Sequence, residues 1–297
     1  LFGQADADQI FGGTITSIEG AIAAGRTGSG TNVWQDLLSG GAGDDLVIGG
    51  SERDLLAGGA GSDVMIGGAG ADHFESDLDV TDATTVWQVI ETFDAVTGLY
   101  TYSFQGMSSS QAAGGKDTIY AGTGDDVARL GGGDDVAYGE DGADKLWGEG
   151  GADMLFGGVG DDLLAGDNGA SQVPLAQHGE DYIDGGPGKD TIAGGGAGDT
   201  IFGGADDDYI SADELSFAFA GDDFVDGGSG DDRIWGGAGG DALFGGSGVD
   251  RIYGDFIQAQ LDSQYHGVDV IDGGDDGDFL FGMGGADTLY GGAGDDY

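Results

Sequence analysis

Cysteine is absent from the 297 residues and proline occurs only twice. The first absence rules out a disulfide framework, and the second rules out a proline-rich linker. Basic residues are also scarce, with 8 Lys and Arg against 56 Asp and Glu and a formal net charge of -48. Such a balance excludes nucleic acid and anionic membrane surfaces as natural partners and leaves multivalent cations as the counter-charge. No apolar run approaches the ~18 residues of a membrane span, so no transmembrane segment is expected. No basic, apolar signal segment opens the chain, and a secretion signal would lie outside these residues. HExxH, GxSxG and P-loop patterns are all missing. The three histidines, His73, His178 and His266, stand far apart, and the last two each precede a glycine at the end of an interruption, where a solvated loop role is expected. No catalytic site is therefore expected, and the chain reads as a non-enzyme.

Glycine is what the chain has in excess, at 69 residues, without the regular triplet of collagen. A hydrophobic fraction of 39% and 9% aromatics are too high for a disordered acidic tail. The glycine is instead periodic. From Gly227 the chain reads GGSGDDRIW, GGAGGDALF, GGSGVDRIY, three units of the form G-G-x-G-x-D-x-U-x in which U is a large apolar residue. An Asp with an apolar residue two places on recurs at Asp8, Asp36, Asp45, Asp54, Asp63, Asp72, Asp117, Asp126, Asp135, Asp144, Asp153 and Asp162. It continues at Asp181, Asp190, Asp199, Asp208, Asp223, Asp232, Asp241, Asp250, Asp269, Asp278, Asp287 and Asp296, giving 24 units, the last without its apolar partner because the sequence stops at Tyr297. Ala128 and Ala137 are the small exceptions at U.

The spacing has a physical logic. Glycines in the first half of the unit permit positive φ and a tight turn that exposes carbonyls, while Asp supplies a hard anionic oxygen. The following x-U-x is a short strand whose alternation sends U to one face and its neighbours to the other. One apolar side chain per nine glycine-rich residues is little to set against the entropy of ordering them, and stacked carboxylates would repel. A bound cation is the remedy this composition calls for.

The nonapeptide resembles the repeat of the RTX (repeats-in-toxin) family of hemolysin-type calcium-binding proteins, over nearly the whole chain outside the interruptions. The resemblance implies an all-β fold, a parallel β-roll or solenoid of about 12 two-unit coils, continuous over residues 1–297. It implies calcium between turns of successive coils, bound by paired Asp carboxylates and turn carbonyls, so that Asp232 pairs with Asp250 and Asp223 with Asp241. All the repeat aspartates above are expected as metal ligands except Asp36, whose turn carries Trp34. About 20 calcium ions would offset most of the charge. Turns with Asp6, Trp34, Glu52, Ala197, Asp206 or Asp276 at the fourth position, in place of glycine, are expected to be weaker sites.

Insertions are expected at about 14–33, 76–113, 168–177, 213–219 and 257–266. With two units per coil, four of the five fall on one edge. The last three run from AGDN, SADE and YGDF to GEDYID, GDDFVD and GVDVID and read as a higher-order repeat. The longest carries VWQVIETF and LYTYSF around Gly98, a hairpin pattern in which Trp87, Val89 and Phe93 share a face, as do Tyr100, Tyr102 and Phe104. Joining the chain's last residues to its first continues the nine-residue phase, so one period of a tandem or end-to-end array is expected. Two functions follow: a secreted, calcium-stiffened structural rod of a filament, surface layer or adhesin stalk, on a bacterial surface, or the non-catalytic calcium-folding module of a type I-secreted toxin, protease or lipase. Ice binding would need outward Thr rows, and Thr123 is nearly alone in its turn position.

Overall fold

The computed structural model describes residues 9–11, 36–51, 53–77, 88–94, 99–105, 114–167, 178–213, 221–256 and 266–297. Among them there is no helix. Each strand of the roll starts one residue after a repeat Asp, from Gln9–Phe11 after Asp8 to Thr288–Ala293 after Asp287. The strands alternate between two parallel sheets of 12 and 11 strands, odd-numbered units building one and even-numbered units the other. The last unit ends before a strand can form, yet its pairing begins: Leu280 N–H donates to the Tyr297 carbonyl at 2.9 Å and Tyr297 N–H to the Asp278 carbonyl at 2.8 Å.

Register follows the sequence period. Partners in uninterrupted coils lie 18 residues apart, as in Val225↔Leu243, and across interruptions the offset grows while the pairing phase stays, as in Met65↔Ile119 and Leu155↔Ile183. From Leu38 to Ile271 the U side chains of both sheets point inward and form one continuous core, in which Leu56, Met65, Phe74, Ile201, Ile234 and Leu243 are fully buried, whereas Leu289 of the last coil is exposed. Ala128 and Ala137 occupy the same column, and Leu130 and Ala121 are buried with them.

The outer faces of the two sheets differ. On the 12-stranded sheet, aromatic side chains of successive coils stack: Tyr120 on Tyr138 at 5.1 Å, Tyr138 on Phe156 at 4.9 Å, and onward through Tyr182, Phe202, Phe224 and Phe244. This face stays partly exposed. On the 11-stranded sheet, Trp147, Leu163 and Ala165 form a buried cluster, Trp235 and Phe256 form another, and the side chains of His73, Glu75 and Arg129 are buried as well.

Four of the interruptions leave the 11-stranded sheet and return to the 12-stranded one, so they open from a single edge. Within the longest, Gln88–Asp94 and Leu99–Gln105 pair antiparallel as the hairpin that the pattern predicts. The side chains assigned to its faces, and Trp87, lie outside the described residues. Two boundaries are corrected. The strand Tyr209–Asp213 takes in the first residue of the insertion expected at 213–219, and Ser76 and Asp77 form a turn of the coil instead of opening the inserted segment.

Candidate metal centre

The turn between strands is built as the repeat dictates. Its second and fourth residues have positive φ, as at Gly228 (98°) and Gly230 (141°), a region that side chains other than glycine occupy at a cost. Ala197, Asp206 and Asp276, the fourth-position departures, adopt the same left-handed backbone at 86°, 78° and 77°, so they keep the turn and pay in strain. Asp6, Trp34 and Glu52 lie outside the described residues. The second position carries departures that the repeat pattern did not flag: Glu140, Glu149 and Met283 are also left-handed.

The repeat aspartates stack into two columns, one along each edge. Each uses Oδ1 to accept the backbone N–H of the Asp one coil earlier. Asp232 N–H donates to Asp250 at 2.9 Å and Asp223 N–H to Asp241 at 3.0 Å, the two pairs expected from the sequence. Along one edge the ladder runs from Asp45 through Asp63, Asp117, Asp135, Asp153, Asp181, Asp199, Asp223, Asp241 and Asp269 to Asp287. Along the other it runs from Asp36 through Asp54, Asp72, Asp126, Asp144, Asp162, Asp190, Asp208, Asp232, Asp250 and Asp278 to Asp296. Asp36, doubted in the sequence, thus holds its place in the ladder; Asp8 lies outside the described residues.

The other oxygen of these carboxylates is left over. Oδ2 of Asp63, Asp72, Asp117, Asp126, Asp135, Asp144, Asp153, Asp162 and Asp181 is buried without a hydrogen-bond partner in the protein. The same holds at Asp190, Asp199, Asp208, Asp223, Asp232, Asp241, Asp250, Asp269 and Asp278. Burial of so many carboxylates is unfavourable unless something pairs with them. It also shifts their protonation: desolvation, with the neighbouring Asp181 charge next, raises Asp199 to about 10, and desolvation with Asp153 beside it raises Asp181 to about 9. Asp232 rises to about 6, again mainly through desolvation, opposed by the amide of Asp208.

The first-position glycine explains what faces Oδ2. A methyl group on Gly227 would stand 2.5 Å from Asp232 Oδ2 and 2.8 Å from the Gly245 carbonyl oxygen one coil on. One on Gly49 would stand 2.7 Å from Asp54 Oδ2 and 2.8 Å from the Gly67 carbonyl oxygen. A side chain at the first position would collide with both oxygens, so glycine there is what lets a carboxylate and a carbonyl of successive coils draw close together. That donor set is all oxygen, hard and anionic, and it fits calcium. Among the described residues no three His, Asp or Glu side chains converge on one point, so carbonyls would have to supply much of the shell of a bound ion.

The fifth-position aspartates work in the opposite direction. Asp231 accepts the Val249 N–H at 2.9 Å, Asp161 the Lys189 N–H at 2.9 Å and Asp125 the Ala143 N–H at 3.1 Å, each one coil later. The histidines also correct the sequence reading. His178 Nδ1 lies 2.9 Å from Asp167 Oδ2 and His266 Nδ1 3.0 Å from Asp255 Oδ2, and the His178 side chain is 2% exposed. Neither is a solvated loop residue.

A parallel solenoid with two columns of buried, paired aspartates at glycine turns is the architecture of a calcium-binding repeat protein. The family model of the RTX calcium-binding nonapeptide repeat matches residues 39–74, 111–146, 130–164, 138–173, 179–214, 217–255 and 267–297. The chain belongs to that family. No curated protein matches it. Among solved structures it is similar to a hyperactive, Ca2+-dependent, β-helical antifreeze protein from an Antarctic bacterium, at 17% identity over 97% of this chain and 82% of that chain, with a TM-score of 0.31.

Proposed function

We propose that this chain is a secreted, non-catalytic structural protein whose coils are held in a rigid rod by calcium at the repeat aspartates. The observation that carries the reading is the double column of carboxylates, with one oxygen tied to the neighbouring coil and, in most of them, the other buried without a hydrogen-bond partner close to a first-position glycine and a carbonyl of the next coil. Calcium there supplies positive charge and takes oxygen ligands in flexible number. The chain's part is to order those oxygens: the Asp ladder fixes the coil spacing, the glycines clear the space, and the U column excludes water from behind it.

Calcium-loaded turns would make the fold conditional on the medium. At affinities of the extracellular kind, about 10⁻⁴–10⁻³ M, the chain is unfolded where calcium is low and folds where it is abundant, which suits an exported protein. At ~4.8 Å per coil, about 12 coils make a rod of roughly 58 Å. Imaging the intact polypeptide in calcium tests the structural role and the end-to-end association expected from the repeat phase. Continuous fibres with a repeat near that length support it, and discrete particles carrying a separate globular domain would replace it with the reading of a calcium-folding module.

A further inference from the structure

The four interruptions that share an edge begin alike. The second position of a plain turn is glycine, as at Gly204 and Gly228, but where the chain departs it is Asp77, Asp167, Asp213 and Asp255. In each, Oδ2 accepts the third-position N–H of the next coil: Gly132 at 2.8 Å, Gly196 at 3.0 Å, Ala238 at 2.7 Å and Gly284 at 2.8 Å. At the first three, the fourth-position amide of the same turn, Gly115, Gly179 or Gly221, bonds to the carboxylate as well. In a plain turn that amide donates across to the third-position carbonyl one coil on, as Gly188 does to Ala205 at 3.0 Å. The aspartate therefore clamps an interrupted turn with bonds that its backbone no longer makes.

A clamp needs only an acceptor, and asparagine would provide one. What aspartate adds is charge, and here the charge is deeply placed. Asp167, Asp213 and Asp255 are at most 3% exposed, and Oδ1 of each is buried without a partner. Each stands within electrostatic reach of a repeat pair: Asp167 by Asp181 and Asp199, Asp213 by Asp223 and Asp241, Asp255 by Asp269 and Asp287. A buried carboxylate kept beside two others has a cation to serve, since the attraction grows with the number of negative groups and with the low dielectric around them.

We infer that Asp167, Asp213 and Asp255 turn three interrupted corners into a separate, tighter class of calcium sites, in which a third carboxylate beside the repeat pair strengthens the hold on the ion. The inference rests on the calcium reading above. The third carboxylate acts through its charge, because its Oδ2 is engaged by amides and, at Asp167 and Asp255, also lies against Nδ1 of His178 and His266. These corners fill first as calcium rises, and they lie two coils apart, so order starts from three evenly placed points.

Equilibrium dialysis of the full chain against calcium tests this, comparing wild type with the triple variant Asp167→Asn/Asp213→Asn/Asp255→Asn. A second triple variant, Asp125→Asn/Asp161→Asn/Asp231→Asn, removes the same charge from exposed fifth positions. The expected wild-type curve has a class of three ions bound about tenfold more tightly than the rest, lost in the first variant and kept in the second. Should circular dichroism show the first variant unfolded at saturating calcium, Asp213→Asn alone should remove one tight ion. A tight class that survives in the first triple variant or undiminished in Asp213→Asn, that is missing from wild type, or that both triple variants lose equally overturns the inference. A wild type that binds no calcium overturns the reading beneath it.

Discussion

The core column and the corner columns of this roll are built by one rule, a like side chain on a like side chain every coil, with opposite consequences. Stacking Ile201 on Ile183 and Val225 removes apolar surface from water and needs nothing further. Stacking Asp199 on Asp181 and Asp223 gathers like charges in a desolvated corner, where each raises the pKa of the next. The comparison locates the conditional part of the stability: the core is always attractive, whereas in the proposed function the corners would switch from repulsive to attractive when a cation binds.

The largest effect that follows is loss of the fold on chelation. Circular dichroism at neutral pH should show the β spectrum vanish in EGTA and return with added calcium. Retention of that spectrum in chelator would mean that the corners are not as repulsive as their burial implies.

Acidification should partly replace the ion. The folded-state pKa of the corner aspartates is raised, from about 6 at Asp232 to about 10 at Asp199, above an unfolded value near 4. The folded state thus binds protons more tightly, and its stability is greatest below the unfolded pKa and falls as pH rises through the folded one. In chelator, β signal should therefore increase as pH is lowered towards 4, the reverse of ordinary acid denaturation.

A core substitution should behave differently from a corner one. Ile201→Ala, in calcium, should cost about 2–5 kcal/mol in urea unfolding and leave the number of bound ions unchanged. Gly227→Ala should instead lower that number, because its methyl group enters the space beside Asp232 Oδ2. Equal ion counts in the two variants would erase the distinction between column types.

The smallest effect is a gain. Ala197→Gly relieves a residue held at a φ of 86° and should stabilise the calcium form by about 1 kcal/mol. Thermal unfolding in calcium reads it, and a lower midpoint would show that the methyl group of Ala197 contributes packing that outweighs its strain.

Much of this was legible in the sequence, because the period of nine fixes turn, strand and inward side chain together. It correctly placed the strands after the repeat aspartates, the neighbouring positions of Asp232 and Asp250 in successive coils, and the hairpin around Gly98. What escaped lies where the period breaks. The shared Asp of AGDN, SADE and YGDF was visible, but its bond to the next coil depends on a register that the inserted residues conceal. The burial of His178 depends on the same contact and contradicts its place beside a loop. Glu140, Glu149 and Met283 escaped for a different reason: left-handed backbone at the second position is a property of the turn, and the turn imposes it on whatever residue arrives.

The most direct test is a crystal structure of the calcium-loaded protein with anomalous difference density calculated at the corners. Peaks between Asp232 and Asp250 and between Asp223 and Asp241, repeated coil after coil, are the predicted result. Stacked coils with no anomalous peak at those aspartates would contradict the account.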